Sequence, residues 1–323
     1  MFLLSYNHLI MKIFLAFFLL IGLIGCNSSF NFESLGEEQG TDEDGDPVII
    51  DPIDDGSREF GLDNSYCYGF DEPIDQTILD IDINIDYPEA HDISEYLPPI
   101  GSQGNQGSCV AWATGYYMKS FQENLQNSED QVINSDVVLS PSFIFNQIKI
   151  QPCSGSQIAD ALDLLLLSGT PDLTVMGYDD TDCTTQPTAL QEKLAEQNKI
   201  ASYFYLDGDI LLEQTKAVLL ENKPVVIAIS IDRNYFGVLE DGLAVYRKSK
   251  KVDGAHAMLV VGYDNAMNAF KVVNSWGQNW GSQGFVWIDY TAFEDVLNQS
   301  RDFNILCEAW VSYDVVDIPV PSI

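Results

Sequence analysis

The pattern of apolar residues changes character once along the chain, and that change limits the folds open to it. After Cys109, Ala113, Tyr116 or Tyr117, Phe121 and Leu125 recur at helical spacing, and residues 156–167 and 209–222 read as two further helices. Ser140-Pro141 reads as a helix start, with serine as cap and proline at the first position, and Gly169 reads as a stop. From Pro224 onward the pattern is mostly that of strands, over 225–229, 257–263, 269–273 and 284–290. Helices gathered on one side of the sequence and strands on the other predict an α+β fold with two lobes. Upstream, Leu79, Ile81, Ile83 and Ile85 alternate with Asp80, Asp82 and Asn84. Period two predicts a strand with one buried face and the carboxylates on the wet one. No internal repeat is visible.

With 323 residues, 46% of them hydrophobic, the chain is long enough for one or two domains with a full core. Its formal net charge of -34 opposes binding to nucleic acid phosphates and to anionic lipid surfaces. Six cysteines occur, with no Cys-x-x-Cys pair, so no structural metal and no cofactor is expected.

The N-terminal segment speaks to compartment. Lys12 is followed by a short apolar run ending in Leu23-Ile24-Gly25-Cys26, which describes a secretory signal over residues 1–25, with Met11 the more natural start than Met1. The run is short for a membrane span. Its end resembles the lipobox of bacterial lipoproteins, which implies lipidation of Cys26; a plain signal peptide or an uncleaved anchor stays open. Residues 26–60 are acidic and rich in Gly, Ser and Pro, and read as a flexible tether. The Asp-Glu-Asp-Gly-Asp stretch within it has its glycine too early for a calcium loop and reads as solvated linker. Residues 61–96 form an N-terminal extension, and the domain proper spans 97–318.

Outside the signal only His91 and His256 remain as imidazoles for acid–base work near neutral pH. His91 lies in a polar loop, whereas His256 leads an apolar strand, a rigid place to hold a ring. Cys109 follows Gly107-Ser108 and opens a helix, whose N-terminus favours a thiolate. Each residue alone also fits a packing role: a lone histidine is usually structural, and a cysteine entering an apolar helix is usually core.

Three separated motifs in order decide between these readings. Gln103-Gly104-Asn105-Gln106-Gly107-Ser108-Cys109, then Ala255-His256-Ala257 with Val261-Gly262-Tyr263, then Asn274-Ser275-Trp276-Gly277 with Trp280-Gly281, resemble the nucleophile, histidine and asparagine segments of the papain-like cysteine peptidases. His256 and Asn274 follow Cys109 by 147 and 165 residues, the second somewhat beyond the family's usual spacing. The resemblance covers residues 97–312. It implies a papain-like two-lobed fold with the active site in the cleft between a helical and a β-rich lobe. It implies Cys109 as nucleophile, His256 as general acid/base, Asn274 as its orienting partner and Trp276 as a shield. Gln103, six positions before the cysteine, would donate to the oxyanion together with the Cys109 N–H. Cys153-Ser154-Gly155-Ser156 resembles the family's Cys-x-Gly-Gly stretch, which marks Gly155 and Ser156, with Ala255, as substrate-binding positions.

Departures from the family pattern are Gln106 where a half-cystine is usual, Val110 after the nucleophile, and Ala255 before the histidine. No long helical pro-region is visible. Cys153–Cys183 resembles a family bridge; Cys67–Cys307 follows by elimination once Cys26 is lipidated and Cys109 free. The expected activity is hydrolysis of peptide bonds through a Cys109 thioester, on a protein or peptide substrate, by a monomer. It would sit on the periplasmic face of an outer membrane or on a cell surface, touching membrane through its lipid alone and binding no nucleic acid. Two other readings stay open, a cell-wall peptide amidase of related fold and a catalytically silent binding module.

Overall fold

The computed structural model describes residues 79–129, 137–150, 153, 155–206, 208–240, 242–247, 249–294 and 306–315, all within one unit, Val48–Ile323. The expected signal, Cys26, the tether and Cys67 lie outside the described residues.

After Gly107-Ser108 the chain enters one unbroken helix: α1 (Cys109–Ala111), a π-helical stretch (Trp112–Lys119) and α2 (Ser120–Glu129). Every residue from Cys109 to Gln122 is buried. A helix without a wet face must be covered on all sides. α3 (Pro141–Ile148) and α4 (Ile158–Leu167) cover one side and the sheet covers the other. Gly115 permits the close approach of α3, since a Cβ there would lie 2.4 Å from Ile144 Cδ1. The polar groups inside are matched: Thr114 Oγ1 donates to Val110 O at 2.8 Å, and Lys119 Nζ meets Glu123 and Asp314. Ser140 caps α3 as its sequence predicts, accepting from Phe143 N at 3.2 Å. α4 stops at Gly169, which has φ +75°. A further helix, α5 (Ala189–Ala195), was not expected. Cys153 and Cys183 form a disulfide that ties the segment before α4 to the loop before α5.

Among the described residues nine strands form one sheet: β1 (Ala90–Asp92), β2 (Ile200–Tyr205), β3 (Val225–Ile231), β4 (Leu239–Glu240), β5 (Leu243–Tyr246), β6 (Gly254–Asp264), β7 (Ala269–Val273), β8 (Phe285–Asp289) and β9 (Leu306–Asp314). Their order is β2-β9-β3-β6-β7-β8-β5-β4, with β1 added on β6, and β5–β8 is the one parallel pair among them. α6 (Leu211–Leu220) packs on β6 and β3. β3 is buried along its whole length, which explains its unbroken apolar run.

Two expectations need correction. Residues 79–85 form no strand. Leu79 is anchored, its N–H donating to Tyr205 O at 3.0 Å and its carbonyl accepting from Gln214 Nε2 at 2.9 Å. Beyond it Asp82 accepts from Asn84 N at 2.9 Å, so the carboxylate bends its own backbone away from a ladder. His91 lies in a strand rather than a loop: β1 pairs it with Tyr263, and its Nε2 sits 3.0 Å from Leu219 O at the end of α6. That is a packing position.

Candidate active site

β6 brings two consecutive residues to the head of the long helix. The Ala257 N–H donates to Cys109 Sγ at 3.4 Å. His256 comes one residue earlier, so its side chain leaves the face opposite to the Ala257 side chain. Its Nε2 lies 2.7 Å from Asn274 Oδ1, just past the end of β7. Ser275 N–H donates to the same oxygen at 2.7 Å. That second donor fixes the amide with Oδ1 toward the ring, so the imidazole nitrogen is the donor and Nδ1 is the ring nitrogen available to the thiol. Asn274 is held in turn by the helix, since its carbonyl accepts from Tyr117 Oη at 2.9 Å.

Aromatic rings wall this pair from water. The Trp276 ring lies 4.7 Å from the imidazole, tilted by 33°, and Phe236 stands edge-on to both. Trp280 closes the box behind them, 5.2 Å from Trp276. Gly237 makes the closure possible: it has φ +83°, and a Cβ there would sit 2.4 Å from the Trp280 ring. Excluding water lowers the local dielectric and strengthens the His256–Asn274 bond.

Gln103 is fully buried and pinned from the Asn274 side. Its N–H donates to Ser275 O at 2.8 Å, and its Oε1 accepts from Ser275 Oγ. Nε2 therefore carries the donors; one hydrogen goes to Gln106 O at 2.8 Å and a second remains for an incoming anion. Gln103, Cys109, His256, Asn274 and Trp276 thus converge where the helix meets β6.

A family model for the papain family of cysteine proteases matches residues 87–299. The chain belongs to that family. Among curated relatives it is 30% identical over 214 residues to the gamete and mating-type specific protein A of Dictyostelium discoideum, covering 64% of this chain and 43% of that protein. It is 24% identical over 200 residues to a cathepsin L-like proteinase of Fasciola hepatica, covering 60% of this chain and 57% of the other. The match thus spans about half the length of these two relatives. Xylellain, a cysteine protease from Xylella fastidiosa, shares the fold with a TM-score of 0.64 and 24% identity, over 80% of this chain and 96% of that one.

Within the papain framework the departures acquire structural content. Gln106, at the half-cystine position, donates from Nε2 to Asp179 O at 3.3 Å and Asp182 O at 3.2 Å, so hydrogen bonds bind the nucleophile loop to the 177–183 loop. Gly155, at φ +51°, and buried Ser156 lie just before α4, and Ala255 lies beside Ser230 in the β3–β6 pair. Ser156 Oγ is buried with no hydrogen-bond partner among the described residues. Cys307 is disulfide-bonded, with its partner outside the described residues. The structure also brings in residues that motif spacing did not single out: Phe236, Ala257 through its N–H, Ser275 through its hydroxyl, and Tyr117. Ser275 lies inside the asparagine motif and was accessible from it; Phe236 sits in a loop whose sequence carries no such signal.

Proposed function

We propose that the chain is an active peptidase that cuts peptide bonds of protein or peptide substrates with Cys109 as nucleophile. The observation that carries this reading is the pair of contacts at one strand end, Ala257 N–H to Cys109 Sγ and His256 Nε2 to Asn274 Oδ1. The first favours charge on sulfur and the second orients the base. The thiolate attacks the peptide carbonyl carbon, forming a C–S bond and pushing the carbonyl electrons onto oxygen. Gln103 Nε2 and the Cys109 N–H receive that oxyanion. Collapse expels the amine, which takes the proton from His256, and leaves a thioester. Water then gives a proton to His256 and attacks the thioester, releasing the acid and restoring the Cys109 thiolate beside protonated His256.

The test is turnover of a peptide mixture by the wild type and by Cys109→Ala, together with iodoacetamide labelling at mildly acidic pH. Rapid labelling of Cys109 and loss of all cleavage in the variant support the reading. Cleavage confined to cell-wall peptides would favour the amidase, and an unreactive Cys109 would favour a binding module.

For location, the lipobox-like end of the apolar run supports a lipid anchor on Cys26, with the acidic tether holding a monomeric peptidase off the membrane. The net charge of -34 disfavours nucleic acid as a partner.

A further inference from the structure

We propose that Tyr178 is a positioning residue for the oxyanion hole, one hydroxyl fixing both chain segments that carry its donors. This rests on the peptidase reading above. Tyr178 lies in the loop between α4 and α5, and nothing in the motifs marks it. Its Oη is 2.8 Å from Gln103 O, 2.7 Å from Ser108 Oγ and 3.2 Å from Gln106 Oε1. A phenol has one hydrogen. Given to Gln103 O, it leaves the oxygen lone pairs for the Ser108 hydroxyl, with Gln106 Oε1 as a longer second acceptor.

The two ends so joined are the two ends of the anion site. Gln103 supplies the side-chain donor, and Ser108 immediately precedes the Cys109 N–H. Between them run Gly104 and Gly107, in a turn whose own backbone bonds are Gln106 N–H on Gln103 O at 3.4 Å and Ser108 N–H on Gln106 O at 2.8 Å, neither of which joins Gln103 to Ser108 directly. Tyr178 joins the two ends through Gln103 O and Ser108 Oγ, while Ser275 holds Gln103 at different atoms, its N–H and Oε1. Its own loop is held by Gln106 Nε2 on Asp179 O and Asp182 O, by Asn105 N–H on Asp180 Oδ2 at 3.3 Å, and by the disulfide at Cys183. The ring stands edge-on to Trp112 at 5.0 Å, which sets its direction. Burial, with smaller contributions from the charges of Asp180 and Cys109, pushes the phenol up to about 12, so it keeps its proton wherever the enzyme works. Where a disulfide would brace the nucleophile loop, this chain has a phenol and an amide.

The test is Tyr178→Phe, which keeps the ring on Trp112 and removes the hydroxyl. Removing a whole oxyanion donor costs ~10²–10³ in rate, so loosening both should lower kcat by about ten-fold with KM changed less than about two-fold. A peptide aldehyde, whose adduct with Cys109 places an oxygen in the same site, should bind weaker by a similar factor. Alkylation by iodoacetamide forms no oxyanion, so its rate at Cys109 should stay at the wild-type value. An unchanged kcat and aldehyde affinity in an active protein would overturn the proposal alone. So would alkylation slowed in step with kcat, because the hydroxyl would then support the thiol or the fold in general. A wild type with neither turnover nor Cys109 labelling removes the peptidase reading itself.

Discussion

Lys119 Nζ lies 2.9 Å from Asp314 Oδ2, between the helix that carries Cys109 and the last strand of the sheet. The ammonium is fully buried and meets Glu123 at 2.6 Å as well. One cation thus holds two carboxylates, and the helix is tied to β9 where both leave the core.

Removing that cation should be costly. In Lys119→Met the two carboxylates face each other without compensation, and unfolding free energy should fall by about 3–5 kcal/mol. Urea denaturation measures it. A loss under about 1 kcal/mol, the size of an exposed ion pair, would contradict the buried description.

Gln103 and Gln106 are both amides beside the nucleophile, and the structure separates their work. Gln103→Ala should lower kcat by about 10²-fold, since it removes an oxyanion donor. Gln106→Ala should lower kcat much less and show its effect mainly in thermal stability, because its amide bonds run to Asp179 and Asp182. Equal losses of kcat in the two variants would refute this division.

Glu308 gives the fold a pH dependence. Burial raises its carboxyl from 4.5 to about 7, against a hydrogen bond from Trp310 Nε1 at 2.8 Å that pulls it down. Between these two values the folded chain binds the extra proton, so stability is greatest below the lower one and falls as pH rises toward the upper. Glu308→Gln keeps an acceptor for the indole and cannot ionise. It should exceed the wild type in stability at pH 8 by on the order of 2 kcal/mol, a figure discounted because part of the side chain reaches solvent, with no gain at pH 4. Melting temperatures at the two pH values test this; an equal difference at both would rule out ionisation as the cause.

Peptide mapping without reductant should recover Cys153 joined to Cys183 and Cys307 joined to Cys67, with Cys109 alkylated. A Cys67 thiol open to alkylation would remove the second pair. In the same preparation the mature N-terminus should be a lipidated Cys26, and Cys26→Ser should appear as active enzyme in the soluble fraction. Membrane retention of that variant would refute the anchor.

What the sequence disclosed follows how local each signal is. Cys109, His256 and Asn274 sit in contiguous motifs and were legible, as was the Ser140 cap. α5 was missed although Thr188 and Gln191 form a capping box at its start, because seven residues are too short a window to show a helical period. β9 was hidden by Glu308, Ser312 and Asp314, which break up its apolar pattern, and β1 by its length of three residues. The strand expected at 79–85 failed for the opposite reason: its alternation is genuine, with Leu79 buried and Asp80 exposed, but periodicity says nothing about whether a partner edge is there to pair with. Tyr178 and Phe236 reach the site from loops, through contacts that only the assembled chain creates.

The helix buried from Cys109 to Gln122 has a consequence for a molecule that could be its own substrate. A segment must be extended to enter a peptidase cleft, and the first segments to loosen in any protein are those with a wet face. Here the nucleophile belongs to the last part of the structure to open. A molecule whose wet-faced segments have loosened therefore still carries an intact nucleophile helix, and those loosened segments are the ones extended enough to enter a neighbour's cleft. Heating should accordingly produce self-cleavage at wet-faced segments before activity is lost with the fold.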